Sequence, residues 1–341
     1  MTDQRALVER IATHCEKYQG GIATRSLGQA GINVGLYAAL TAAMFLCLAY
    51  GVYWLFAVLV LPAGGILTRI FTVQHDCGHG SYFKSRKAND RLGQFLSLLT
   101  FTPYGFWRDA HNRHHASSGN LSRRGVGGID TLTVDEFRAL TPLNKFFYRG
   151  YRNPLIILLI GPPLYILVMQ RLPLAGGMPF AETYYPLQTR HIWRSVLALN
   201  VGLVAFYGAL AFFLGLGAVA LVFLLPATLA AMAGGWLFYV QHQYEDTYWH
   251  QGENWNFQEA AVLGSSYYQL PKILQWFSGN IGLHHIHHLS SLIPNYRLQE
   301  CFDASEDLKS LPRMTIRDSL KSVPLALWDE TERKLIPFHR A

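Results

Sequence analysis

Nine of the fourteen histidines in this 341-residue chain fall in three short runs: His75-Asp76-Cys77-Gly78-His79, His111-Asn112-Arg113-His114-His115 and His284-His285-Ile286-His287-His288. The first run spaces two imidazoles at i, i+4. The second spaces three at i, i+3, i+4, and the third holds the same triple in His284, His287 and His288. Residues three and four apart share a helix face, so each run can aim its ring nitrogens at one point. Convergent imidazoles are metal-ligand chemistry, suited to iron, copper, zinc or nickel. A single histidine in an apolar protein is ordinarily a hydrogen-bonded core residue, but two triples and a pair are not accounted for that way. Eight such histidines exceed the four ligands of one tetrahedral zinc and suit two ions that keep positions open. His242 stands at the end of a long apolar run. Cys77, two residues after His75, is turned off the histidine face and reads as packing.

The elements that must position these residues are apolar. Half of the chain is hydrophobic and 15% is charged, against about 25% charged in ordinary soluble domains, and mean hydropathy is +0.13. Residues 26–68 and 195–244 contain no Asp, Glu, Lys or Arg. At roughly 20 residues per span, each run holds two helices and a tight reversal, because a charge at bilayer centre costs about 2.5–3.5 kcal/mol. The expected hairpins are 31–50 with 52–73, turning near Gly51, and 195–216 with 218–240, turning near Gly217. Lys84, Arg86, Lys87 and Arg91 follow the first hairpin, and Arg190 and Arg194 precede the second, so both open on the cytoplasmic side. Two stretches, 92–107 with Pro103 and 153–170 with Pro154, Pro162 and Pro163, are too short or too broken for straight crossings. They are expected to lie in the interface or dip into it.

The fold expected is an all-α integral membrane protein: four transmembrane helices in two hairpins, interfacial helices, and a cytosolic cap. Residues 1–30 form an interfacial segment, 31–73 the first hairpin, and 74–194 a cytosolic and interfacial region with the first two runs. The second hairpin is 195–240, and 241–341 is the cap with the third run. Both termini then lie inside, and every histidine group reaches one face. The first thirty residues lack the apolar core of a signal peptide, so the first span is expected to direct insertion. Four cysteines without paired spacing fit a reducing compartment. The net charge of +7 suits anionic lipid headgroups or an acidic protein partner. The basic residues form no nucleic-acid module, so no nucleic-acid role is expected.

A hydrolytic H-E-x-x-H zinc site needs glutamate after its first histidine, whereas Asp76 and Asn112 stand there. Transport sites lie deep inside spans, whereas these histidines are expected just beyond the span ends. Two irons with open positions can instead bind and reduce O2, and the resulting oxidant can take hydrogen from an alkyl C–H bond. The chain has no His-Pro-Gly-Gly haem motif or flavin fingerprint, so electrons are expected from another protein. Metal-bound histidines usually donate their other N–H to a carboxylate or carbonyl. Asp76, Asp109, Glu245, Asp246 and Asn280 are the candidates, and His285, about 100° around a helix from His284, is a supporting neighbour.

Over nearly its whole length the sequence resembles the bacterial acyl-lipid fatty acid desaturases of the histidine-box, di-iron type. Besides the runs themselves, the resemblance rests on Leu67-Thr68-Arg69-Ile70-Phe71, 107–115, Leu132-Thr133-Val134, Tyr151-Arg152-Asn153-Pro154, 236–248, Gly264-Ser265-Ser266-Tyr267-Tyr268, 274–296 and Leu327-Trp328-Asp329-Glu330. It implies two iron ions with His75, His79, His111, His114, His115, His284, His287 and His288 as ligands and His242 as a ninth. It also implies O2 as co-substrate, a ferredoxin or flavodoxin electron donor, a phospholipid acyl chain as substrate, and a place in the bacterial cytoplasmic membrane. The sequence departs from the resemblance at Ser122 and Gly128, where relatives commonly carry Asp; Asp130 is placed to compensate for the second. Two other outcomes use the same residues. A hydroxylase or ketolase acting on an alkane, sphingolipid or carotenoid would release oxygenated products, and a metal transporter would move ions without consuming O2.

Overall fold

The computed structural model describes residues 2–125, 127–171 and 190–341; the rest of the 74–194 region lies outside them. Helix α1 (Thr2–Glu16) is followed by the first hairpin, α2 (Ala23–Ala49) and α3 (Tyr53–His79). Next come α4 (Arg86–Thr100), α5 (Tyr104–Ser117), α6 (Val134–Ala139), α7 (Pro142–Tyr151) and α8 (Gly161–Leu167). The second hairpin is α9 (Arg190–Leu214) with α10 (Leu216–His242).

Among the described residues, these two hairpins supply four helices long and apolar enough to cross a membrane, and the bent pair Pro142–Tyr151 with Leu155–Arg171 would make a fifth if it forms one span. The outward faces of the hairpins carry large apolar side chains, among them Phe212 at 82% and Phe213 at 79% exposure, which is the surface lipid would cover. The first reversal falls at Gly51 (φ 72°) and the second at Gly215 (φ 86°), two residues before Gly217, as the uncharged stretches predict. Both turns use a left-handed conformation that glycine adopts without steric cost.

Helix length explains how the histidines leave the bilayer. Each of α3 and α10 has 27 residues, about 40 Å at 1.5 Å per residue, against a hydrocarbon core of about 30 Å. The surplus is about two turns. In α3 those turns carry His75 and His79, so the first run is the unbroken end of a span and not a separate element after position 73.

The 92–107 stretch breaks as Pro103 predicts: α4 ends at Thr100, capped by Phe101 (φ 58°), and α5 starts at Tyr104. At about 22 Å, 15-residue α4 is too short to cross. In the 153–170 stretch, Pro154 precedes a π-helical segment, Leu155–Ile160, and Pro142–Tyr151 and Leu155–Arg171 meet at a 52° bend. Proline lacks the N–H that would continue the ladder.

α3 is the central helix, packed against α2, α4 and α10. Its small residues permit this: a Cβ on Gly65 would meet the Phe277 ring at 2.6 Å, and one on Gly64 would meet Leu229 at 3.0 Å. On α4, a Cβ at Gly93 would sit 2.2 Å from the Tyr104 ring, whose hydroxyl donates to the Cys77 carbonyl at 2.8 Å. Overpacking of this kind costs about 1–3 kcal/mol. Gly93→Val is therefore expected to lower the thermal midpoint in detergent by several degrees, and an unchanged midpoint would contradict the close packing.

Past His242, the cap contains α11 (Phe257–Leu263), α12 (Lys272–Phe277), α13 (His284–Leu289) and α14 (Asn295–Asp303). Short strands, which the helical expectation did not include, lie within the cap and join it to the region before α7. β1 (Leu132–Thr133) runs parallel to β4 (Leu325–Asp329), which pairs with β5 (Lys334–Pro337), and β2 (Tyr267–Tyr268) pairs with β3 (Arg313–Met314). Pairs this brief are set by tertiary contact and leave no period-2 pattern to read. Helix α1 joins the cap through Ile11 and Cys15, which pack against Leu283, Ile286 and Cys301. All four cysteines are free and buried, with Cys15 and Cys301 sulfurs 3.7 Å apart. Cys77 lies in the core between α3 and its neighbours.

Candidate metal centre

The eight histidines His75, His79, His111, His114, His115, His284, His287 and His288, together with His242, separate into two groups. Ring nitrogens of His75, His79, His111, His115 and His287 all lie within 4.8 Å of one another, as do those of His114, His242 and His288. His284 joins the second group, its Nε2 3.0 Å from His242 Nε2.

The split corrects the expectation that each run converges on one point. A helix turns about 100° per residue, so i+4 falls about 40° beyond i while i+3 falls about 60° short of it. The i, i+4 partners thus stay together, and the i+3 residue diverges from i+4 by about 100°. Ring centroids follow this rule: His75–His79, His111–His115 and His284–His288 are 4.7, 4.6 and 4.5 Å apart. His114–His115 and His287–His288 are 5.7 and 5.9 Å apart. Each triple therefore serves both groups, and the ends of α3 and α10 serve one each.

The donor set fits metal ions. His242 Nδ1 faces the Gly264 carbonyl at 3.1 Å, which can only accept, so this nitrogen carries the proton and Nε2 presents a lone pair. Yet that Nε2 lies 3.1 Å from His114 Nε2 and 3.0 Å from His284 Nε2. One in-plane lone pair cannot accept from both. His115 Nε2 is likewise 3.0 Å from His111 Nε2 and 3.1 Å from His287 Nε2. Two nitrogens bound to one ion at about 2.1 Å and about a right angle would be about 3.0 Å apart. The Nε2 atoms of His79 and His288 are buried without a hydrogen-bond partner among the described residues, a costly state that a metal ion relieves.

Burial also sets the protonation state. Desolvation is the largest cause holding His111, His114, His115, His284, His287 and His288 well below the usual imidazole range, and neighbouring imidazoles add to it. Neutral imidazole is the form that ligates.

The supporting residues divide. Asp76 Oδ1 accepts from His75 Nδ1 at 3.0 Å, the contact expected of a carboxylate behind a ligand. Asp109 instead faces Arg108 and His191 on the surface. Glu245 and Asp246 pair with Lys334, since the chain turns outward directly after α10. Asn280, at φ 61°, donates its side-chain amide to the Asn295 carbonyl and not to a histidine ring. His285 packs beside Tyr267 with centroids 5.7 Å apart, away from both groups as its helical offset requires. Nδ1 of His284 and of His287 has no partner among the described residues.

Two contacts were missed from sequence. The Gly264 carbonyl is backbone and leaves no side-chain signature. Trp107, four residues before His111, stacks on that ring at 4.5 Å and 18° and meets Phe71 edge-on at 5.3 Å. Its i, i+4 spacing was the available signal. At the departures, Ser122 Oγ accepts from the Gly252 N–H at 3.2 Å, and a Cβ at Gly128 would lie 3.6 Å from His114 Nδ1. Asp130 is held through its backbone by the Tyr151 hydroxyl.

Comparison with known proteins agrees with this architecture. The fatty acid desaturase family model matches residues 30–316. The chain is 41% identical over 286 residues to a fatty acid desaturase of Bacillus subtilis, covering 84% of this chain and 78% of that one. It is 28% identical over 289 residues to an sn-1 acyl-lipid omega-3 desaturase (ferredoxin) of Synechocystis, covering 82% and 74%. It is 27% identical over 313 residues to an endoplasmic reticulum omega-3 fatty acid desaturase of Nicotiana tabacum, covering 86% and 70%. Matched over most of its length and carrying two convergent histidine groups at the ends of its spans, the chain belongs to the fatty acid desaturase family.

Proposed function

We propose that this oxygen-dependent oxidoreductase introduces a double bond into an acyl chain of a membrane lipid, with one iron ion in each histidine group. His75, His79, His111, His115 and His287 would hold one iron, and His114, His242, His284 and His288 the other. The observation that carries this reading is the convergence of imidazole nitrogens on two points within a desaturase chain. Bound iron supplies the O2 reduction and the C–H oxidation that side chains cannot perform. The residues of the chain do the rest. Burial favours the neutral form of His111, His114, His115, His284, His287 and His288, Asp76 and the Gly264 carbonyl fix two ring orientations, and Phe71 with Trp107 provides an apolar wall at the bilayer side of the first group. An acyl chain held there is presented at a fixed register, so geometry selects the bond.

An external ferredoxin or flavodoxin-type donor supplies electrons; the Synechocystis relative is named for ferredoxin. The location proposed is the bacterial cytoplasmic membrane with both termini inside, supported by Lys84, Arg86, Lys87 and Arg91 after α3 and by Arg190 and Arg194 at the start of α9. The whole of 1–341 acts as one membrane desaturase domain. Expression in a host lacking the product, followed by gas chromatography and mass spectrometry of its acyl lipids, is expected to show a new double bond that requires O2 and iron. Oxygenated chains, or unchanged lipids with iron-loaded and reductant-supplied protein, would contradict the assignment.

A further inference from the structure

Asn295 opens α14, 219 positions after Asp76, and is 1% exposed. Its backbone N–H donates to Asp76 Oδ2 at 2.7 Å, and its side-chain Nδ2 donates to the same oxygen at 2.8 Å. The other carboxylate oxygen, Oδ1, is thereby left for His75 Nδ1 at 3.0 Å. Asn295 is itself immobilised. Gln29 Nε2 on α2 donates to its Oδ1 at 2.8 Å, and Asn280 Nδ2 donates to its carbonyl at 3.0 Å. The Tyr82 hydroxyl in turn donates to Gln29 Oε1 at 3.0 Å. Every donor here reaches its acceptor inside the protein, so the Asp76 carboxylate has one orientation, and it aims the His75 ring.

We infer that Asn295 is a positioning residue for the first histidine group: through Asp76 it sets the ring plane of His75, so the lobe carrying the third run orients a ligand on the first. This rests on the metal reading above. Outer partners of metal ligands typically change activity by about ten- to a hundredfold when lost. Asn295 differs from the other outer partners in linking α14 both to the Asp76 carboxylate on α3 and to Gln29 on α2. The first group, which like the second draws on both halves of the chain, is thus tied by a side chain that is not itself a ligand.

The test uses full-length protein loaded with 57Fe in detergent, with Mössbauer spectra and steady-state kinetics. Wild type is expected to show two iron environments. Asn295→Leu should shift the signal of one environment and leave the other in place, at unchanged iron content, with kcat down about tenfold or more and KM little changed. In an Asp76→Asn background the same substitution should move nothing further, since its effect passes through that carboxylate. Should Asn295→Leu not fold, Asn295→Asp, which keeps the shape but sets a second carboxylate against Asp76, should produce the same one-sided shift. Two unmoved signals in a two-iron protein, or a further shift in the Asp76→Asn background, would overturn this inference alone. A wild type without two iron environments would overturn it together with the metal reading.

Discussion

His115→Ala and His242→Ala are each expected to reduce desaturation by more than about a hundredfold and to remove a different iron. Each residue is the hub of its group. His115 Nε2 lies within 3.1 Å of His111 and His287 nitrogens, and His242 Nε2 lies within 3.1 Å of those of His114 and His284. Losing a ligand exceeds the loss of its outer partner, which alone costs about ten- to a hundredfold. Elemental analysis of either purified variant should give about one iron per chain where wild type gives about two. Mössbauer spectra should show that opposite environments survive. Near-normal turnover from either variant would strike that residue from the ligand set. Loss of both irons from both variants would show one cooperative cage in place of two groups.

Acidification should have the second large effect. Metal-stripped protein is expected to lose its fold steeply as pH drops below about 6.5, while staying level above about pH 7.5. Burial holds His111, His114, His115, His284, His287 and His288 well below their ordinary pKa, and pulls His285 down to about 3. In the unfolded chain they titrate near 6.5. Below that pH the unfolded state binds more protons than the folded one, so stability falls with falling pH until the depressed folded values are reached. One such group contributes about 1.4 kcal/mol per pH unit, and the seven together reach about 10 kcal/mol per unit. Net stabilities are about 5–15 kcal/mol, so one to two units suffice. Protons also compete with metal for the same nitrogens, and iron should therefore leave over the same range. Thermal midpoints recorded from pH 8 to pH 5 would check this. A flat profile would mean that the histidines are not buried in their neutral form.

Much of this molecule could be read from residue order because its two strongest constraints are local. Lipid tolerates no charge over a span, so 26–68 and 195–244 announce two hairpins whatever else the chain does. Helical spacing likewise announces which imidazoles share a face. The division of His114 from His115, and of His287 from His288, was also legible in the 100° rotation. Sharing a face is a looser condition than converging on one ion, and the difference decides which group each ring enters. Other features needed the third dimension. Glu245 and Asp246 stand close in sequence to His242, but α10 ends there and the chain turns toward Lys334. Asn295 is remote from the first run, and the Gly264 carbonyl belongs to backbone whose placement no side chain records. The parallel contact of Leu132 and Thr133 with Leu327 and Trp328 joins segments nearly two hundred residues apart, beyond any periodicity.

Anomalous diffraction at the iron edge from crystals of the loaded protein tests the two-ion account most directly. The expected map has two peaks. One lies among the ring nitrogens of His75, His79, His111, His115 and His287, and the other among those of His114, His242, His284 and His288. A single peak, or density outside these nitrogens, would contradict it.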